Sequence, residues 1–370
     1  MSNALDYIIM RGDLPFEIGP INEVDFFLFS QIAMPDYDGI VPSDGAQVSL
    51  HDAAKEYFKT HTVDVKNLGA IQAIDCLPAF KEMGRCRRFK NVMCSYYGNK
   101  IVVSKDEQFS AITLKLSDDL IVVSFRGTDD TIIGWKEDFN IAVKNQVPAQ
   151  KDAVRYLEFV AKRYSGRIVT VGHSKGGNLS VYAASKACKE VRDRILYAFS
   201  FDGPGFRKEF FNDQGYIEMK DRIRHIISQN SMIGTLLEYP VDKPNIVHSS
   251  VTGLNAHDGF NWSVHGPKFV KERKLSPSAQ VINEGMDEAL SGMTDEERGQ
   301  FSEAFFNTLL STGATTLTEI KEINIVEIFR VLSEIRQNKA ISTCASKIIK
   351  GLESAQIRRI RSELQSSKQK

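Results

Sequence analysis

A serine flanked by glycines is the strongest chemical signal in this sequence of 370 residues. Residues 172–177 read GHSKGG, which contains the G-x-S-x-G pattern centred on Ser174. A β-branched run at 167–171 precedes the motif and a helical pattern at 178–191 follows it, the context that a nucleophilic serine requires. Such a turn lifts the hydroxyl above a sheet, at a helix N-terminus that favours a developing oxyanion. The alternative is a glycine-rich turn without catalysis, and the coincidence of strand, motif and helix favours nucleophilic chemistry.

A second signal lies upstream, where a strand at 120–125 ends in the sequence FRGT at residues 125–128. Sites in open α/β sheets form at the carboxyl ends of the strands. Thr128 is therefore a candidate for one backbone N–H of an oxyanion hole, and Lys175, the residue after the nucleophile, for the other. For Arg126 we expect a structural ion pair.

These two motifs together resemble the class 3 (fungal-type) lipases. The lysine after the serine, the Asn178-Leu179 pair that follows it, and the segments 22–25 and 231–237 are similar to the bacterial Mbeg-like branch of that superfamily. The resemblance covers roughly residues 15 to 265. It implies an α/β-hydrolase fold, a Ser–His–Asp triad and hydrolysis of acyl esters, and it implies no particular substrate.

The acid of the implied triad is not where fungal-type lipases carry it. Their acid follows the strand that ends here near Ser228, and the sequence at 229–233 is QNSMI, without a carboxylate. Asp202, just after an earlier strand at 195–201, resembles the acid of pancreatic-type lipases. It is the first candidate, with Asp242 and Asp258 as alternatives and a turn-capping aspartate as the non-catalytic interpretation.

The base is expected to be a histidine late in the chain, because this fold orders its triad Ser, Asp, His. His257 lies in a loop with small and turn residues and is the first candidate, ahead of His248 and His265. Its non-catalytic interpretation is a surface loop histidine. We expect the side chain of His173 to point away from Ser174, and His225 to be a packed core residue.

The elements around these residues predict the fold. Strand patterns at 111–116, 120–125, 167–171, 195–201, 223–228 and 245–248 alternate with helical patterns at 150–164 and 178–191. Strands separated by helices indicate a mostly parallel sheet with helices on both faces, and so the α/β-hydrolase fold.

The chain is divided by pattern into a hydrolase domain at 1–275, of which 1–100 is a helical entry region, and an all-helical appendage at 276–370. The appendage carries helical patterns at 277–290, 294–311, 317–336 and 340–365, and an apolar segment at 323–332. Two roles stay open for these helices: they pack on the hydrolase domain as a cap or lid, or they mediate self-association into a homo-oligomer.

Composition excludes several classes of partner. Lysines and arginines (47) balance aspartates and glutamates (47), so no global field attracts nucleic acid. No apolar run reaches the roughly 20 residues of a membrane helix. Five cysteines without C-x-x-C spacing, and an N-terminus without a signal-peptide pattern, predict a cytoplasmic protein with reduced thiols. We expect no metal site and no cofactor.

The sequence therefore predicts a serine hydrolase of the lipase or esterase type that acts on a small acyl ester or a lipid. Two alternatives are kept. One is an inactive pseudo-hydrolase that acts as a binding or scaffold module, and the other is a thioesterase, peptidase or acyltransferase that uses the same triad. A Ser–Lys mechanism through Lys175 is disfavoured, because the residue after the serine points elsewhere on so sharp a turn.

Overall fold

The computed structural model describes residues 2–61, 75–322, 330, 333–335 and 337–367. The helix predicted over 317–336 is described only in part, and the apolar segment at 323–332 lies, apart from residue 330, outside the described residues. None of the helices in the described part of the chain is long and apolar enough to span a membrane.

An eight-stranded sheet with its strands in chain order forms the centre of the molecule. Its strands are β1 Val48–Ser49, β2 Met93–Val102, β3 Glu107–Lys115, β4 Leu120–Phe125, β5 Arg167–His173, β6 Ile195–Phe201, β7 Ile223–Ser228 and β8 Asn245–Val247. Strands β1 to β4 pair antiparallel, and β4 to β8 pair parallel. The parallel half has the crossover helices that the sequence predicts, so the α/β-hydrolase fold is confirmed. A separate hairpin follows, formed by β9 Val264–His265 and β10 Lys268–Phe269.

The helices fall into three groups along the chain. The N-terminal group is α1 Ala4–Arg11, α2 Glu23–Gln31, α3 Leu50–Thr60 and α4 Cys76–Met83. The second group lies among the strands: α5 Ile132–Ile141, α6 Pro148–Ala161, α7 Lys175–Lys186, α8 Lys189–Arg192 and α9 Gln214–Met219. The C-terminal group is α10 Pro277–Ser291, α11 Asp295–Leu310, α12 Leu317–Glu322 and α13 Lys339–Ser367.

The two faces of the sheet bury separate apolar clusters. On one face the N-terminal helices pack against the strands, with Phe27 of α2 in edge contact with Phe201 of β6 at 5.4 Å between ring centroids. On the other face α6 and α7 cover the sheet through side chains such as Leu157 and Leu179. The region before residue 100, predicted as helical, also supplies β1 and part of β2.

The described residues of the C-terminal region form helices, as predicted, and these helices pack on the hydrolase fold. Helices α10 and α13 cross where Gly285 meets Gly351: a Cβ atom on Gly351 would lie 2.3 Å from the carbonyl oxygen of Gly285. The division into 1–275 and 276–370 stays a prediction.

Candidate active site

Ser174 lies on the sharp turn between β5 and α7. Its backbone has φ 57° and ψ −131°, a combination that an L-residue adopts only under constraint. The flanking glycines are required by close backbone approach. A Cβ atom on Gly172 would lie 2.0 Å from the carbonyl oxygen of Gly176, and one on Gly176 would lie 2.2 Å from that of Phe125. Gly177 packs in turn against β6, where its Cβ would lie 2.7 Å from Ser200 Oγ. The local sequence therefore forces the strained turn that exposes the serine.

His257 and Asp202 are joined by a short hydrogen bond. Nδ1 of His257 lies 2.7 Å from Oδ2 of Asp202, and both side chains are almost completely buried. Asp202 follows the last residue of β6, with a left-handed φ of 50° and its N–H donating to the carbonyl of Ile226 in β7. With Nδ1 engaged by the carboxylate, Nε2 is the nitrogen of His257 left to exchange a proton.

The alternative acids and bases are either exposed or hydrogen-bonded to other groups. Asp258 caps the short helical turn after it by accepting from the N–H of Phe260 at 2.8 Å, and Asp242 is exposed. His248 is hydrogen-bonded to Ser263 at 2.8 Å, and His265 is exposed in β9. Among these candidates, the geometry brings only Asp202 and His257 together.

Thr128 and Lys175 carry two free backbone N–H groups next to Ser174. In the part of the chain that the structure describes, neither N–H donates a hydrogen bond within the protein. The loop of Thr128 runs close to the turn, since a Cβ on Gly127 would lie 2.9 Å from the carbonyl oxygen of His173. Lys175 opens α7, where the helix leaves its first N–H groups unpaired. Two free donors beside a serine are what a tetrahedral oxyanion needs.

The side chain of Lys175 points away from the serine, as expected. Its ammonium is fully buried, 2.7 Å from Oε2 of Glu137 in α5 and within hydrogen-bond distance of the carbonyl and side-chain oxygens of Gln108 in β3. Glu137 also accepts from the N–H groups of Gln108 and Ala149. This ion pair occupies the amine, so Lys175 is left with only its N–H for chemistry at the serine.

Asp138 is a polar residue of the site to which the sequence assigned no role. It accepts a hydrogen bond from the hydroxyl of Thr128, and burial raises its pKa to about 6. The helix that carries it, α5, directly follows the loop of Thr128. This hydrogen bond holds the Thr128 side chain against α5 and so helps to position the loop that carries the free N–H of Thr128.

His173 contacts the candidate base His257, and the sequence did not predict this contact. Its Nε2–H donates to the carbonyl oxygen of His257 at 2.8 Å, and the two rings lie 4.6 Å apart. Burial lowers the pKa of His173 to about 3, so the ring is neutral at physiological pH. No local pattern signals this contact, because it joins residues 84 positions apart.

Most of these groups face one cavity of about 240 Å³. Ser174, His257, Thr128 and Lys175 lie on its wall, whereas Asp202 supports His257 from behind. Asp138 and His173 also line it, and the rest of the lining is apolar: Trp135, Phe139, Ile141, Ala142, Pro204, Ile233, Leu236, Leu237, Met286, Leu290 and Phe306. Three of these residues come from the C-terminal helices.

Within the described residues, no group of three or more His, Cys, Asp or Glu side chains is arranged to hold a metal ion. The site consists of a serine, an imidazole, carboxylates and backbone N–H groups. These are the groups of nucleophilic acyl transfer.

Comparison with known proteins gives a family and a distant structural neighbour. A search of curated protein sequences finds no match. The solved structure titled "Crystal structure of M37 lipase" is similar with 17% identity and a TM-score of 0.35, covering 57% of this chain and 68% of that one. The family model described as Mbeg1-like matches residues 83–307, which is more than half of the chain. The protein belongs to the Mbeg1-like family.

Proposed function

We propose that this protein is a serine hydrolase that cleaves carboxylic esters, with Ser174 as nucleophile, His257 as base and Asp202 as acid. One observation carries the proposal: the strained serine turn and the Asp202–His257 pair meet at a single apolar cavity. The family resemblance to lipases agrees with it, and the chemistry rests on the residues themselves.

The reaction proceeds in two halves. Ser174 Oγ attacks the acyl carbonyl while Nε2 of His257 takes its proton, and the N–H groups of Thr128 and Lys175 bind the oxyanion. Asp202 holds the Nδ1–H tautomer and stabilises the imidazolium. His257 then protonates the leaving alcohol, and a water molecule activated by the same imidazole releases the acid from the acyl-enzyme.

The alternatives differ in how well the site supports them. A pseudo-hydrolase that only binds ligands would gain support if Asp202 were out of reach of His257, and the 2.7 Å hydrogen bond argues for catalysis instead. Thioesterase, peptidase and acyltransferase activities would use the same groups, so substrate trials separate them from ester hydrolysis. A cytoplasmic location and self-association through the C-terminal helices stay predictions.

The test is covalent labelling with a fluorophosphonate, alongside turnover of short p-nitrophenyl esters. We expect the wild type to label, and Ser174→Ala, His257→Ala and Asp202→Asn to lose on the order of 10⁴-fold in turnover, as triad variants do. Asp242→Asn is the matched control, because Asp242, the other alternative acid, is exposed. If folded wild-type protein neither labels nor turns over any ester, hydrolysis is the wrong assignment.

A further inference from the structure

The wall of the cavity is shared between the hydrolase fold and the C-terminal helices. Helix α10 contributes Met286 and Leu290, and α11 contributes Phe306. We infer that these three residues, here called the cap residues, form part of the acyl pocket and set the length of chain that it accepts. This inference rests on the proposed function and adds to it the determinant of substrate choice.

Polar contacts hold α11 against α5, the helix on the other side of the pocket. The hydroxyl of Ser302 donates to Oδ1 of Asn140 at 3.0 Å, and both residues are buried. Lys136 of α5, also buried, lies 2.9 Å from a carboxylate oxygen of Glu303. Arg298 donates to the carbonyl of Ala142 at the end of α5. Helix α11 is therefore a fixed wall of the cavity.

The chain after α11 is fixed to the loop that carries the candidate oxyanion donor. Thr316 forms a β-bridge with Thr131, and the N–H of Ile132 donates to the carbonyl of Thr315 at 2.9 Å. The N–H of Leu317 donates in turn to the carbonyl of Asp130 at 2.9 Å. Thr128 lies only three residues before Thr131, so the C-terminal segment and the oxyanion loop are positioned together.

The chemistry of the lining selects an uncharged chain. Of its two formally charged residues, Lys175 has its ammonium in the buried pair with Glu137, and Asp138 is bonded to Thr128. Among the residues that the structure describes, no cation is left facing the cavity to bind an anionic headgroup. The acyl chain is the part of an ester that stays on Ser174 through both halves of the reaction, so it is the natural occupant of a pocket that adjoins the serine.

The volume limits the length of that chain. An engineered apolar cavity of about 150 Å³ holds benzene, with six carbons. A cavity of about 240 Å³ therefore holds on the order of ten carbon atoms. We expect a preference for acyl chains of roughly eight to ten carbons, with efficiency rising by a factor of about four for each methylene buried up to that length.

The experiment measures kcat/KM for p-nitrophenyl esters from acetyl to palmitoyl, and compares the ratio of long to short chains within each variant. Phe306→Ala enlarges the pocket, and we expect the ratio of palmitoyl to butyryl turnover to rise at least tenfold. Leu290→Trp fills the pocket, and we expect the optimum to move to about four to six carbons. If Phe306→Ala does not fold, the shift in Leu290→Trp carries the test.

Phe305→Ala is the matched control, since Phe305 precedes Phe306 on α11 and does not line the cavity. We expect it to keep the wild-type profile. Folded cap variants that label with fluorophosphonate and keep the wild-type profile would overturn the inference and leave the proposed function standing. The inference would also be overturned if kcat/KM depended on the alcohol of a series of acetate esters and not on the length of the acyl chain. A folded wild type that does not label would overturn both.

Discussion

Lys175 has two separate roles that belong to different parts of the same residue. Its backbone N–H opens α7 beside Ser174, whereas its ammonium is buried against Glu137 of α5. The ion pair links the helix of the nucleophile to a helix that lines the cavity. An unpaired charge at this depth would be expensive, so each partner depends on the other.

We therefore predict that Lys175→Met destabilises the protein by about 3 kcal/mol, because Glu137 keeps two backbone donors and loses its countercharge. The double variant Lys175→Met/Glu137→Gln should recover part of this loss, since no net charge is then buried. Urea unfolding at neutral pH measures both effects. Lys115→Met is a control, because Lys115 pairs with the exposed carboxylate of Asp118 at the surface.

The same variants test the role of Lys175 in catalysis. Folded Lys175→Met should still label with fluorophosphonate, since the backbone N–H remains. Complete loss of labelling in folded protein would contradict this account and point to the Ser–Lys mechanism.

His225 gives the molecule a specific sensitivity to acid. It is fully buried in β7, with Nε2 at 3.2 Å from the carbonyl oxygen of Gly234. Burial lowers the pKa of His225 from its ordinary value near 6.5 to about 4. Between these values the unfolded chain binds a proton that the folded protein does not. The part of the folding stability that depends on neutral His225 is therefore fully present above pH 6.5 and is lost as the pH falls toward 4.

From these pKa values, His225 should cost about 2 kcal/mol of stability between pH 7 and pH 5. His225→Gln keeps a donor for the carbonyl of Gly234 but does not titrate, so its loss of stability over this range should be smaller by that amount. Chemical denaturation at the two pH values measures the difference. Equal slopes for wild type and variant would contradict the buried neutral state. His51→Gln, at a partly exposed position, is the control.

At the scale of elements, neighbouring parallel strands place two members of the candidate triad, and the third, His257, lies in a short helical turn after β8. Ser174 follows β5, Asp202 follows β6, and β7 accepts the backbone N–H of Asp202. The bounds of β4, β6 and β7 coincide with the runs predicted at 120–125, 195–201 and 223–228. Buried parallel strands are continuous apolar, β-branched or aromatic runs, so their sequences alone identify them.

Strand β2 and helix α5 are among the elements that escaped prediction, and the reasons can be identified. Strand β2 is irregular, with a register shift between Ser95 and Gly98 and a left-handed Tyr96 at φ 52°, so its alternation of apolar and polar residues is broken. Helix α5 is buried on most sides, between the sheet, α11 and the cavity, and therefore has no single apolar face at helical spacing.

In the candidate site, too, some residues could be predicted from the sequence and others could not. Ser174 is readable from its motif, and Asp202 and His257 from their positions after strands. The contacts of His173, Asp138 and Lys175 could not be predicted, because each joins parts of the chain that only the tertiary fold brings together.

At the scale of the whole molecule, the C-terminal helices were predictable as helices but not as part of the site. Their pattern of apolar residues indicates burial and does not name the partner surface. In the structure, α10 lines the cavity with Met286 and Leu290, and it packs against α13 at Gly285. Helix α13 is thus linked to the pocket through its crossing with α10.

This crossing yields a prediction at a distance from the site. In Gly351→Ala the new Cβ would lie 2.3 Å from the carbonyl oxygen of Gly285, which is backbone and must move. We expect a loss of about 1–3 kcal/mol in the free energy of unfolding, as for other overpacked contacts. We also expect a changed ratio of long-chain to short-chain ester turnover. Met286 directly follows Gly285, about 100° round the helix from the face on α13, so a displacement of α10 moves the cavity wall.

Gly299→Ala on α11 is the matched control for this substitution. Its Cβ would meet only Val143 at 3.7 Å, an ordinary contact, so helix propensity should make it neutral or slightly stabilising. Urea unfolding and the ester profile are measured on both variants. A Gly351→Ala protein with reduced stability and an unchanged profile would mean that α10 does not transmit the strain to the pocket wall. A changed long-chain ratio would mean that α13, none of whose described side chains lines the cavity, helps to set the size of the pocket through its contact with α10.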